Sequence, residues 1–439
     1  MDQKSKARAS LGGKIIAWFL GFAVLFDPYL RASETEGAPK LTDLIGLMLI
    51  GALVIRLLTG YHYRVRFPSN FKFVIGLVAV WFVREWFVSG SIVGVEPIRW
   101  LLAVPYAYAL YRLACNRSTR YVLAIGICWG AVANLAVVGL QVAGYEDLVV
   151  NLGLASGRWV DTWISSPEEI SLRPTGMWGH PNATAGVIAL CLPVLCGLID
   201  EGRLKPLWVV AGWLVVFVAS ALTFTRSGVV ISCLLFLLWI LASFKTRRYL
   251  ISKISLFVAS VGGLMLIGPP GGWWRWLDQQ NLSENSGDRM ETTIRALELT
   301  FRNPLGIGVE YQGRLAAMTK SGLEATHNAW LYLALVAGLP LALYMFFALT
   351  RQAVALFSRS TIEGWLALEV IGLFFFEEFY RIPVFMIITL WLIIAPPMEE
   401  RSTHLVPLGK GDEVIARTFR PFRRKFAYRQ GSRREAFGS

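Results

Sequence analysis

Residues 121–143 read YVLAIGICWGAVANLAVVGLQVA, without a single charged side chain. Its length matches the ~20 apolar residues that a helix needs to cross the hydrocarbon layer of a bilayer. Arg117 and Arg120 stand just before it, and Glu146 opens a polar stretch just after it. The run therefore reads as one membrane span with a basic end and a neutral end.

Working outward, similar runs lie near residues 12–30, 41–59, 71–90, 98–114, 182–200, 206–224, 227–244, 250–268, 328–350, 362–378 and 382–396. Together they predict an all-α polytopic membrane protein of about twelve transmembrane helices. The region 206–244 reads either as two spans turning at Thr225-Arg226 or as one long tilted helix. Composition agrees: 55% of residues are hydrophobic and 17% charged, against about 45–50% and about 25% in soluble domains. The first apolar run follows Lys4, Lys6 and Arg8, includes Lys14, and is long enough to remain as a span and not a cleaved leader.

The net charge of +13 would suggest nucleic acid in a soluble chain. Here the excess sits in short loops and in a basic tail, residues 401–439, so membrane lipids are the expected partner and nucleic acid is not. With the N-terminus cytoplasmic, one set of loops carries Arg64 and Arg66; Arg112, Arg117 and Arg120; Arg203 and Lys205; Lys245, Arg247 and Arg248; Arg351 and Arg359. The opposite short loops are poorer in basic residues, so the positive-inside rule puts both termini in the cytoplasm. The expected organisation is a transmembrane bundle over 1–400 with two long outer loops, 145–181 and 269–326. Long ordered loops are usually functional. The second is expected to hold a helix: Asp288 and Glu291 make a capping-box-like start, Asn303-Pro304 a stop. Met290, Ile294, Leu297 and Phe301 form a stripe expected to face the bundle.

Ionisable residues inside spans are functional candidates by default. Asp27, Arg84, Glu85, Arg99, Arg173, Arg226, Glu377, Glu378 and Arg381 gather toward the outer ends, and Glu369 lies near mid-depth. Several arginines on one side suit a phosphate-bearing lipid, because the guanidinium fork donates two parallel hydrogen bonds and keeps its proton. For any one of them, structural pairing or headgroup anchoring explains the position equally well. Of four histidines, His62 and His404 fall inside, whereas His180 and His327 fall at junctions between an outer loop and a span. A histidine there can accept a proton near neutral pH, although a lone histidine is more often a packing residue. The five cysteines lie in or beside apolar runs and read as small core residues. No Walker A loop, dinucleotide fingerprint, HExxH or Asp-x-Asp pair occurs. No cofactor and no protein-bound metal are therefore expected, which favours a donor already activated on a lipid.

Four stretches then occur in order: Arg173-Pro-Thr-Gly-Met-Trp-Gly-His180-Pro-Asn182, Thr223-Phe-Thr-Arg226-Ser-Gly, Asn303-Pro-Leu-Gly-Ile-Gly308 and His327-Asn328. Together they resemble the O-antigen ligase and polymerase superfamily of bacterial envelope glycosyltransferases, over about residues 172–338. The ligase branch is similar in having His-Asn, nine residues and then Gly, here His327-Asn328 and Gly338; where that branch continues with Gly, Thr or Tyr, this chain has Leu341. The resemblance implies a fold like lipid-dependent (GT-C-like) membrane glycosyltransferases in the bacterial inner membrane. It implies inverting, metal-independent transfer of polysaccharide from undecaprenyl diphosphate to the lipid A-core oligosaccharide at the periplasmic face. On that expectation Arg173 and Arg226 meet the charge of the leaving diphosphate, helped by Arg302 and Arg381. His327 is the base or positions the acceptor, while Asn328 and His180 contribute to binding. His180 also reads as structural, because His180-Pro181-Asn182 is a natural helix start.

Rival readings are an O-antigen polymerase with the same donor, a protein O-oligosaccharyltransferase, a lipid-linked oligosaccharide flippase and a non-catalytic scaffold. The protein-modifying relatives usually carry a further C-terminal soluble domain, for which the residues after Pro397 are too few. A flippase would favour a polar midplane and matched broken helices.

Overall fold

The structure is a computed structural model and describes residues 10–30, 39–58, 69–89, 95–155, 158–161, 171–223, 225–246, 250–267, 279–308, 311–319, 326–359, 361–376, 379 and 382–395. Over these the chain is mostly helical. The first group is α1 (Leu11–Leu25), α2 (Leu41–Leu58), α3 (Ser69–Ser89), α4 (Val95–Ala114) and α5 (Arg117–Val142). Then come a short α6 (Glu146–Asn151) and an antiparallel hairpin, β1 (Arg158–Asp161) with β2 (Ser171–Pro174), in which Trp159 pairs with Arg173. Next are α7 (Pro181–Ala189), α8 (Cys191–Asp200), α9 (Trp208–Leu222), α10 (Arg226–Thr246) and α11 (Leu250–Ile267). The rest comprises α12 (Gln279–Arg302), α13 (Tyr311–Met318), α14 (Ala329–Ala337), α15 (Leu339–Arg359), α16 (Ile362–Leu373) and α17 (Pro383–Ile394).

Among the described residues, two stretches are long and apolar enough to cross a membrane, Arg117–Val142 and Pro181–Asp200; seven shorter apolar helices accompany them. The Pro181–Asp200 stretch is almost wholly buried, and so is α17, which packs against α4 and α15. Around these, apolar side chains such as Leu214, Leu237, Leu241, Phe347 and Val354 point outward and stand exposed. A buried apolar centre with an apolar rim is how a bundle solvated by lipid differs from a soluble one.

α1 lies backbone to backbone on α5. A Cβ on Gly21 would collide with the Leu123 carbonyl, one on Gly126 with the Trp18 carbonyl, and one on Gly130 with the Phe22 carbonyl. Small residues let membrane helices approach this closely. The Tyr106 hydroxyl adds a hydrogen bond to the Leu20 carbonyl at 2.8 Å.

At the end where α5, α11 and α16 begin, Arg120 lies 2.6 Å from carboxylate oxygens of both Glu201 and Glu363. Asp200 there meets Lys253 at 2.9 Å and accepts from the indole N–H groups of Trp239 and Trp365 at 3.1 and 3.0 Å. The bundle end that the charge pattern assigns to the cytoplasm is thus tied by ion pairs.

Several expectations need correction. The run 328–350 is not one helix: α14 ends at Ala337, Gly338 takes φ +103°, and α15 starts afresh at Leu339. Of the two readings of residues 206–244, the structure bears out the two-helix one, α9 ending at Leu222 and α10 beginning at Arg226. The run 182–200 is interrupted at Leu190, where Pro193 has no N–H to give the Ala189 carbonyl. The outer-loop helix starts at Gln279, not near Asp288, and ends as expected at Arg302. Its stripe of Met290, Ile294, Leu297 and Phe301 is exposed, and the bundle side is instead Thr292, Ala296, Leu299 and Thr300. That face is the one turned toward α14. The all-α class holds over the described residues, with one short hairpin added inside the first long loop.

Candidate functional site

Polar groups from the four sequence stretches gather at the end opposite Arg120. The first two stretches form one unit. Pro181 sits in the first turn of α7, where its missing N–H costs nothing. His180 caps the helix, its Nδ1 accepting from the Asn182 amide at 3.2 Å. Arg173, at the end of β2, reaches across to the α9–α10 turn. Its Nε donates to the Thr223 carbonyl at 2.8 Å, and one terminal nitrogen donates to Asn182 Oδ1 at 3.1 Å and Thr225 Oγ1 at 3.3 Å. Thr225 Oγ1 also donates to Asn182 Oδ1 at 3.1 Å. Arg173 thus acts as a brace between the hairpin, α7 and the α9–α10 turn, and Arg226 is the first residue of α10, directly after that turn.

The loop between them is pinned as well. Gly176 has φ +55°, and a Cβ there would meet Thr184 Cγ2 at 2.6 Å. Its N–H donates to Gln141 Oε1 at 2.9 Å. Lys40 donates to the Met177 carbonyl at 2.7 Å and lies over the rings of Tyr29 and Trp178. Burial pushes the Lys40 ammonium below its ordinary range, to about 8, while the charge of Asp27 pulls it back up.

The third and fourth stretches form the other unit. Asn303 ends α12, and Gly306 and Gly308 take φ +85° and +81°. The Ile307 N–H donates to the Leu335 carbonyl, and the Leu339 N–H donates to the Pro304 carbonyl at 2.9 Å. A Cβ on Gly306 would lie 2.8 Å from the Gly338 nitrogen, and one on Gly338 would lie 3.0 Å from the Leu305 carbonyl. The two glycines therefore let the loop interlock with the α14–α15 break. Arg84 closes this unit by donating to the carbonyls of Val336 and Gly306.

At the other end of α14, His327 is half-buried and has φ +48°; among the described residues no other side-chain-bearing residue has positive φ. That conformation is strained for histidine and is held by the capped helix start directly after it. Asn328 caps α14, its Oδ1 accepting from the amides of Trp330 and Leu331 at 2.9 and 3.1 Å. The Thr326 hydroxyl donates to the Asn328 carbonyl at 2.9 Å.

Both units meet the C-terminal end of α16. The Ala329 N–H, two residues from His327, donates to the Phe374 carbonyl at 2.8 Å. Ile231, five residues from Arg226, packs on Gly372, and Phe379 packs on Gly186 of α7. This shared support places Arg173, His180, Arg226, His327 and Asn328 on one side of the bundle. Arg302 stands apart: it is exposed on the last turn of α12 and pairs with Glu298 of the same helix. Arg381, Glu377 and Glu378 lie outside the described residues. Glu369 is fully buried and accepts from the Ser232 hydroxyl at 3.2 Å, between α10 and α16. Sequence reasoning missed the partners of Arg84 and Lys40. The only signal was a cation at an outer helix end, and carbonyl acceptors leave no pattern in a sequence.

Such an apolar helical bundle, with polar groups braced at one end, has the character of a helical membrane protein. The O-antigen ligase family model matches residues 210–347, so this part of the chain is similar to that family. No curated protein matches the chain. The match runs from α9 through α10, the loop of Asn303–Gly308 and His327-Asn328 into α15.

Proposed function

We propose that this protein is an O-antigen ligase of the bacterial inner membrane. It transfers polysaccharide from undecaprenyl diphosphate to the lipid A-core oligosaccharide at the periplasmic face. Its twelve spans place both termini and the basic tail of residues 401–439 in the cytoplasm, with the transmembrane bundle over 1–400. The loops 145–181 and 269–326 then stand outside with the polar site. The observation that carries the reading is that the units of Arg226 and His327 rest on the same end of α16, Ile231 against Gly372 and the Ala329 N–H on the Phe374 carbonyl.

In this reading a hydroxyl of the acceptor sugar attacks the anomeric carbon of the donor from the face opposite the diphosphate. The new C–O bond forms as the bond to the diphosphate oxygen breaks, and lipid diphosphate leaves with the electron pair, so the configuration inverts. His327 takes the hydroxyl proton. Arg226 meets the charge growing on the diphosphate. Arg173 holds the α9–α10 turn that presents Arg226 and adds its own positive charge. Arg302 and Arg381 are outlying cations for the same ligand. His180 and Asn328 fix the starts of α7 and α14, and their edges left over from capping line the acceptor side. No protein-bound metal and no cofactor take part in this reaction.

The test is His327→Ala in cells, read as laddered lipopolysaccharide with the membrane level of the protein checked alongside. Loss of the ladder with full-length lipid-linked polysaccharide accumulating supports a ligase that uses His327. A surviving ladder removes His327 from the site. Collapse of the lipid-linked chains to single repeats assigns the protein to polymerisation instead.

A further inference from the structure

α12 is amphipathic in an unusual sense: its apolar stripe points away from the protein. Met290, Ile294, Leu297 and Phe301 are 67%, 51%, 39% and 72% exposed, and Leu305, just past the helix, is 70% exposed. Their spacing puts the first four on one face of a helix. The opposite face, Thr292, Ala296, Leu299 and Thr300, is buried toward α13 and α14. On that side the hydroxyls are satisfied within the helix: Thr292 donates to the Asp288 carbonyl and Thr300 to the Ala296 carbonyl, both at 2.8 Å. The helix thus has a seat on the protein and a second, larger apolar surface without a seat among the described residues.

Geometry fixes the position of that second surface. Pro304 accepts from the Leu339 amide at the start of α15. Phe301 and Leu305 therefore sit close to the start of α15, whose own side chains Leu343 and Phe347 are likewise apolar and exposed. On one flank between stripe and seat, Glu298 pairs with both Arg295 and Arg302. Glu291 lies on the same flank, so two arginines and two glutamates make it a charged, water-compatible edge beside the apolar stripe, the pattern of a helix lying at a lipid surface.

We propose that α12 is an interfacial helix whose Met290–Phe301 stripe, continued by Leu305, lies in the phospholipid leaflet beside the candidate site. The helix then holds the Asn303–Gly308 loop, and through it the α14–α15 break, at headgroup depth. This inference rests on the membrane reading and not on the transfer chemistry.

The experiment uses the full chain in its membrane, with the photoreactive residue p-benzoylphenylalanine placed singly at 290, 301 or, as a control on the flank, 291. Membranes carry radiolabelled phospholipid. Lipid adducts several-fold more abundant from 290 and 301 than from 291 are the expected result. Equal labelling from all three positions, or no lipid adduct at all, overturns the proposal. A protein–protein adduct at twice the chain mass from 290 and 301 also overturns it, because a second copy then covers the stripe. The readout needs no transferase activity, so a failed ligase test and a failed lipid test are separate results.

Discussion

At the end of the bundle built from the starts of α5, α11 and α16, charge is matched by charge. Arg120 sits between two carboxylates, and Lys253 sits on Asp200. At the other end one ion pair, Arg99 with Asp43 at 3.5 Å, stands beside cations that also hold neutral oxygens. Arg173 donates to a carbonyl, a carboxamide and a hydroxyl, Arg84 to two carbonyls and Lys40 to one. Those contacts orient each cation, and the charge of Asp27 also acts on Lys40. The first arrangement makes a closed, self-sufficient clasp, because a buried charge left single is costly. The second spends its cations on tying backbone and side-chain oxygens of several elements together, so the polar groups are held in position before any ligand arrives. Both ends are therefore rich in arginine, while only one is a candidate for chemistry.

That contrast can be broken by substitution. The largest expected effect is His327→Ala: transfer falls about 10²–10⁴-fold, the range for loss of a general base, while melting in detergent stays near wild type. Arg120→Ala should do the reverse in kind. It strands Glu201 and Glu363 in a buried site and costs about 3–5 kcal/mol of stability, read as loss of folded protein before any selective loss of transfer. Arg226→Ala should lower transfer about 10²–10³-fold at unchanged melting temperature, the scale of a lost donor to a developing anion. Arg226→Lys should recover little of that loss, since an ammonium lacks the planar fork; full activity in the lysine variant would remove Arg226 from the diphosphate. Gly338→Ala asks whether the interlock at the motif end is stiff. A side chain at φ +103° against the Leu305 carbonyl should cost about 1–3 kcal/mol, seen as a lower melting temperature. The smallest effect is Asn328→Ala, which removes a helix cap worth about 1 kcal/mol. A fall in transfer well beyond that stability loss would mean that Asn328 also touches substrate.

Much of this was legible in the sequence, for physical reasons that differ by element. The Thr223–Arg226 turn, the Asn303-Pro304 stop and the His180-Pro181 start are local, set by residues within one helical turn of each other. The break at Gly338 was not legible. Residues 328–350 are apolar throughout, and hydropathy does not register that a glycine takes positive φ because a distant loop presses on it. The direction of the α12 stripe was misread because periodicity shows that a helix has an apolar face and not which neighbour covers it. Within the site, the residue types were readable but their duties were not. Arg173 and Asn328 spend polar atoms on the fold itself, through partners as far away as Thr223 in the first case.

The glycine seam between α1 and α5 has a consequence for how the chain is made. Gly21 and Gly126 are the two sides of one tight contact, yet they leave the ribosome about 5–20 s apart at ordinary synthesis rates. On the membrane reading, α1 enters the bilayer with its best-fitting surface uncovered and waits while α2, α3 and α4 are inserted. Throughout that interval the bare seam is available to any other small-residue helix nearby. Arrival of α5 ends the wait, so a pause in translation ahead of Arg117 should lower the yield of assembled protein more than an equal pause after Val142.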